Sequence, residues 1–206
     1  MSERTLIGRL LSPAGFGLVL LLFLLPFLSV SCSTDGGDVV ATFSGVDMLI
    51  GGEPDLVAPT SDAEAQEAQR TIVAVFHDSL DAEPLAILAA LAVLFAMATT
   101  LIGERLARHA IGAGLAVVAA ALLGGAYVRA TGHVGDAIRA ISEPPDTLAY
   151  SVAPRYGFWV CVGLLLALAA GHLAAMVRAW KGPADAPRPD ELDEADLEVD
   201  LRAGDA

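Results

Sequence analysis

Four stretches of this chain carry no charged residue over lengths close to that of a bilayer-crossing helix. They limit what it can fold into more than any other feature. They are Ala14–Val30, Leu85–Ile102, Ala110–Val128 and Gly157–Val177. A hydrocarbon core needs about 20 mostly apolar residues per helix. Without water to satisfy the backbone, each such stretch must be helical. A soluble domain of 206 residues does not carry four of them, so the expected class is integral membrane, all-α, with a four-helix transmembrane bundle. The overall mean hydropathy of +0.60 agrees. The first stretch contains Pro26 and ends in Ser29, Ser31 and Cys32, and it is expected to be a kinked span.

Basic residues orient the bundle. With the N-terminus cytoplasmic, Arg4, Arg9, Arg105, Arg108, Arg178, Lys181, Arg188 and Arg202 fall inside, and Arg70, Arg129, Arg139 and Arg155 outside. Eight against four follows the positive-inside bias. Tyr127, Tyr156 and Trp159 then sit at the outer interface and Trp180 at the inner one. The expected location is the cell membrane, multi-pass, with both termini cytoplasmic.

Two outer loops follow, Ser33–Glu83 and Arg129–Arg155. The first holds eleven acids and one arginine. Within it, Val39, Ala41 and Phe43 alternate with Val40, Thr42 and Ser44, which predicts a short strand; Ser44-Gly45 and Gly51-Gly52 read as turns. Ser61–Leu80 has apolar residues at helical spacing behind a Ser61 or Asp62 cap. The second loop predicts a short helix over Val134–Ile141, stopped by Glu143-Pro144-Pro145, and an extended Thr147–Val152. The two loops are expected to pack as a small mixed extracytoplasmic cap. Residues 182–206, with three prolines and nine acids, have too little apolar surface to offset ordering entropy, and they predict a disordered acidic cytoplasmic tail.

Charge and residue chemistry exclude several functions. A net charge of −13 with no basic patch argues against nucleic acid. No Asp, Glu, Lys or Arg lies in the spans, and ionisable residues at membrane depth are the usual mark of ion and proton pathways. His172 is the exception, near the inner end, where a helix-contact or interfacial role is expected; Thr99 and Thr100 are the other polar candidates. Asp35, Asp38, Asp47, Glu53 and Asp55 lack the spacing of a calcium loop. His77 and His133 do not make a zinc site. No nucleophile elbow, P-loop or catalytic set occurs. The expectation is therefore no enzyme and no cofactor.

Cys32 admits three readings. Arg4, Arg9, a leucine run and Ser31 before it outline a lipoprotein signal, but Ser29 stands where that signal usually has leucine. A disulfide with Cys161 fits an oxidising outer face. Two unrelated small apolar side chains is the reading preferred to both. Regular small residues complete the inventory. Gly112, Ala116, Ala120 and Gly124 make an i, i+4 ridge on the third span, and Gly163, Ala167, Gly171 and Ala175 one on the fourth. Such ridges allow close helix approach, so these two helices are expected to pack together.

The segments PFLSVSC (26–32), FSGVDMLIG (43–51) and YGFWV (156–160) resemble those of a loose group of actinobacterial four-span integral membrane proteins. There the first span ends in a proline-containing serine/cysteine motif, and the outer loop carries an aromatic-x-Gly-x-Asp-x-x-x-Gly stretch. The resemblance implies the four-span layout and no activity. The layout is also similar to that of claudins, but their loop motif of tryptophan and paired cysteines is absent here. The expected role is that of an accessory or scaffold subunit making protein–protein contacts in the envelope. Its partners would be the lipid bilayer and either another protein or further copies of the chain. A small channel or transporter component formed by homo-oligomerisation is the alternative.

Overall fold

The structure is a computed structural model that describes residues 3–34, 37–52, 55–57, 82–102, 105–141 and 149–181. The chain order is α1 (Glu3–Leu22), β1 (Pro26–Thr34), β2 (Gly37–Ser44), α2 (Gly45–Ile50), β3 (Asp55–Val57), α3 (Pro84–Ile102), α4 (Arg105–Ile141), β4 (Ala149–Pro154) and α5 (Tyr156–Trp180). The protein is mostly helical, with one four-stranded sheet of order β3-β2-β1-β4. The helix predicted for Ser61–Leu80 and the acidic tail lie outside the described residues.

The first apolar run is not one helix. α1 stops at Leu22, and Pro26 opens a strand. Proline has no amide hydrogen and pushes its predecessor out of the helical region, so the helix cannot pass it. The last turn tightens first. Phe23, Leu24 and Leu25 each donate to the carbonyl three residues back, at 3.2, 3.1 and 3.0 Å. The expected kinked span over Ala14–Val30 is thus a helix followed by a strand. The following FLSVSCST then pairs on both sides, antiparallel to β2 and to β4.

The strand expected around Val39–Ser44 forms as β2. At Ser44 the chain becomes a helix instead of a turn, because the local residues cap one. Asp47 N donates to Ser44 Oγ at 3.1 Å, and the Ser44 amide donates back to Asp47 Oδ2 at 2.7 Å. Gly51, at φ 70°, ends that helix in the left-handed region where glycine is favoured. The extended segment expected at Thr147–Val152 forms as β4, and the short helix expected at Val134–Ile141 is the end of α4. At 1.5 Å per residue, the 37-residue α4 is about 55 Å long.

The four long helices form a ring in which each packs mainly on two neighbours: α1 on α3 and α5, and α4 on α3 and α5. Neighbours run antiparallel. The α4–α5 pair meets through Gly112 and His172 at one end and Tyr127 and Phe158 at the other. α1 and α5 meet through Gly15 and Leu168, then through Pro26 and Gly157. The sheet stands on one end of this ring, against α4. Leu28, Val30, Ala41 and Phe43 of the sheet bury themselves on Ala130 and Val134.

The long helices are apolar on their outer as well as their inner faces. Ala86, Ala89, Val93 and Ala96 of α3 are 0–1% exposed, whereas Leu91 and Phe95 on its other face are 54% and 61% exposed. α1 repeats the pattern with Phe16 and Val19 inside and Leu18 and Leu21 outside; α5 does so with Cys161, Leu165 and Ala169 inside and Val160, Leu166 and Leu173 outside. α4 and α5 are long and apolar enough to cross a membrane; the apolar parts of α1 and α3 are the shorter stretches Pro13–Leu22 and Pro84–Thr100.

One junction tests this packing. A Cβ on Gly157 would meet Pro26 O at 2.5 Å and Leu25 Cβ at 2.8 Å, while one on Gly163 would meet nothing within 4 Å. Gly157→Ala should destabilise the fold by about 1–3 kcal/mol, as overpacking does, and Gly163→Ala should not. Thermal unfolding of the two variants in detergent checks this.

Candidate functional site

Two polar clusters lie at opposite ends of the helix ring. At the sheet end, the chain enters α3 through Glu83, which is buried. Its amide donates to Met48 O at 2.8 Å, and its carbonyl accepts the first helical bond from Ile87 at 3.1 Å. The carboxylate accepts from Leu85 N at 3.4 Å and pairs with Arg129 Nε of α4 at 3.3 Å. An acid in this place complements the partial positive charge of the helix N-terminus. Glu83 and Asp47 both border a cavity of about 20 Å³, which Leu28, Phe43, Met48, Gly52 and Ala130 complete. A cavity of that size holds about one water. The Asp47 carboxylate is engaged locally, accepting from the Ser44 amide and hydroxyl at 2.7 Å each.

At the far end, His109 of α4 and His172 of α5 face each other with Nδ1 atoms 3.1 Å apart. One ring must donate and the other accept, since a neutral imidazole has one of each. His172 is buried and His109 half-buried. Phe16 of α1 stacks on His172, with centroids 5.8 Å apart and planes at 24°. Gly112 lies beneath the ring, where a Cβ would come within 2.9 Å of Cε1. Beside the pair, Arg108 Nη1 donates to Thr100 O at 3.5 Å, meeting a carbonyl in the last turn of α3. Three helices therefore meet at one imidazole pair, and Arg108 ties α3 in beside it. Among the described residues it is the one place where two ionisable side chains of different helices meet inside the ring.

Sequence reading found His172 but not its partner. The Glu104–His109 segment reads as a connection, and His109 becomes a bundle residue only because α4 begins as early as Arg105. The spacing of 63 residues between the two histidines carries no local signal.

The other expected residues are placed as follows. Gly112 and Ala116 are buried, Ala120 is half-buried, and Gly124 is half-buried with open space where a Cβ would go. The buried row of α4 instead runs through Ala116, Ala119, Leu123, Ala126, Ala130 and Val134. On α5, Gly163, Ala167 and Gly171 are exposed and Ala175 half-buried, so this ridge faces away from the ring. The helices α4 and α5 do pack together, but α5 offers Cys161, Leu165, Ala169 and His172. An i, i+4 ridge and an i, i+3/i+4 row drift apart around a helix of 3.6 residues per turn, and the larger side chains of the row fill the ring.

The fold does not favour the lesser reading of Cys32, a disulfide with Cys161. Cys161 is a free, buried thiol. Cys32 pairs in register with Val39 and Tyr150 in the sheet, six residues along β1 from Pro26. That is about 20 Å of strand, whereas Cys161 lies one turn, about 6 Å, from Gly157, which packs on Pro26. These path lengths separate their Cα atoms by more than the 7 Å that a bond allows.

Thr99 and Thr100 turn their hydroxyls back onto Ala96 O and Met97 O at 2.9 and 2.6 Å. His133 is exposed on α4, Asp55 is exposed on β3, and His77, Asp35 and Glu53 lie outside the described residues. Among the described residues no three His, Cys, Asp or Glu side chains gather as metal ligands would. No protein-family model, curated protein or solved structure matches the chain.

Two measurements follow from these placements. Cys161 should resist maleimide in the folded protein and react after denaturation, with Cys32→Ser removing the competing thiol. Ala116→Leu should destabilise by about 1–3 kcal/mol through overpacking, and Ala167→Leu should leave stability within about 0.5 kcal/mol, as read from unfolding in detergent.

Proposed function

We propose that this chain is a non-enzymatic integral protein of the cell membrane. In this reading α1, α3, α4 and α5 are four spans, the sheet is an extracytoplasmic cap, and both termini are cytoplasmic. Its role is that of an accessory or scaffold subunit making protein–protein contacts in the envelope. The observation that carries the reading is the apolar outer face of the helices. Large apolar side chains such as Leu21, Leu91, Phe95 and Leu166 face out around the ring. In water so many exposed apolar groups would drive association; against lipid tails they are solvated.

Other observations support it. Trp159 and Trp180 are 61% and 85% exposed near the two ends of α5. Their separation of 21 residues spans about 32 Å, close to a hydrocarbon core flanked by interfacial tryptophans. Inside the ring, Val19, Val93, Ala116 and Leu165 are all 0% exposed. What remains for function is surface. The cap and the outward Gly163-Ala167-Gly171 face of α5 are where partners would meet it, and close approach along such a face rests on van der Waals contact.

That same face favours one alternative, a homo-oligomer in which several copies build a channel. Gentle extraction from the native host with a C-terminal tag separates the two. A stoichiometric heterologous partner is the expected result. A homo-oligomer with nothing else bound, together with solute flux in liposomes, would replace the scaffold reading by the channel. Topology is tested separately: a reporter at Ala206 should be cytoplasmic, and one inserted between Pro144 and Pro145 extracytoplasmic.

A further inference from the structure

We propose that the acidic C-terminal segment of this chain folds back onto a basic collar, formed where α4 begins and α5 ends. The collar comes from the seating of the two helices. They run antiparallel, and His109 meets His172 with Nδ1 atoms 3.1 Å apart. Arg108 stands at that level. Arg105 lies four residues before His109, and Arg178 and Lys181 lie six and nine residues after His172. At 1.5 Å per residue, the four positions fall within about 14 Å of one another along the bundle axis. The stretches 104–109 and 172–181 hold one acid against them, Glu104. Arg178 and Lys181 are exposed, and among the described residues neither has an ion-pair partner.

Segment 182–206 lies outside the described residues, so its sequence and its point of departure bear on it. α5 ends at Trp180, and Gly182-Pro183 follow Lys181. Glycine permits a reversal there, and proline cannot continue a helix. From Asp190 to Asp200, seven of eleven residues are acidic and none is basic. Asp190 is nine residues beyond Lys181. A chain of that length reaches about 30 Å when extended, more than the depth of the collar. Such a short tether holds the carboxylates at an effective concentration of about a millimolar or more. Lipid phosphates carry the same sign of charge, but they do not arrive seven to a chain on a tether that starts at the collar. The segment thus screens this end, and an acidic partner meets the collar only when the segment is displaced. The contact follows from where α5 ends, so it holds for either orientation in a membrane, and its failure would leave the scaffold reading where it stands.

The test uses the full chain in nanodiscs of zwitterionic phosphatidylcholine. Spin labels go on cysteines introduced at Ala107, which is exposed on the first turn of α4, and at Ala195, with Cys32→Ser as background. The sign of the salt response decides. Salt screens the charges that hold the segment, so raising NaCl from about 20 mM to about 1 M should lengthen and broaden the label separation by several ångströms. A free acidic chain does the opposite, because its own repulsion extends it and salt lets it contract. Replacing the exposed bases together, Arg178→Gln with Lys181→Gln, should give the long, broad separation already at low salt. A separation that shortens with salt or ignores it, or one that is unchanged by the two substitutions, would overturn the contact and leave the collar to lipid headgroups.

Discussion

The five residues from Phe23 to Phe27 hold the molecule together, because every long helix but α4 begins or ends on their backbone or one contact away. Once Pro26 stops α1, the helix leaves carbonyls without partners at its end. The start of α2 supplies the donors. Val46 N reaches Phe23 O at 2.9 Å, and Gly45 N reaches Leu25 O at 3.3 Å. Phe27 O accepts from Arg155 N at 2.8 Å, where the chain enters α5, and Met48 O accepts from Glu83 N at 2.8 Å, where it enters α3. Bare alanine-rich helices in lipid have only van der Waals contact to choose their neighbours. Here backbone hydrogen bonds at one end choose them.

The side chains of the same junction close the end of the ring. Phe23, Phe27, Phe158 and Tyr127 follow one another at centroid distances of 5.2, 6.3 and 5.5 Å. They divide the helical core from the smaller core beneath the sheet. A residual void of about 10 Å³ between Phe27, Leu123, Tyr127 and Phe158 shows how completely the aromatics fill it. Gly45 and Gly157 belong to this closure, since each lets one backbone lie directly on another. At the far end, the described contacts that join the helices include the polar ones of His109, His172 and Arg108.

Several features were legible in the sequence because their causes are local. The starts of α3 and α5 follow from charge-free runs that open after Glu83-Pro84 and after Arg155. β2 follows from the alternation of Val39 to Ser44, and β4 from the extended residues after Pro145. The Gly51 turn follows from glycine's access to positive φ. Even the end of α1 had its signal in Pro26, but reading it as a kink assumed that the following PFLSVSC had to stay in lipid. β2 and β4 give those residues backbone partners outside the ring, so the chain need not remain helical.

The amino-acid sequence by itself determined that this chain is built of long apolar helices with a β-forming segment between the first and second, because helix length, proline and alternation act within a few residues. Tertiary structure alone decided the rest. Which small-residue face of α4 and α5 turns inward was settled by how Leu123, Leu165 and Phe158 fill the ring, a sum over four helices that no single ridge encodes. The antiparallel seating of α4 on α5 brings His109 to His172 across 63 residues and keeps Cys161 far from Cys32. Both outcomes depend on which helix stands beside which, and that was chosen by the backbone bonds around Phe23–Phe27.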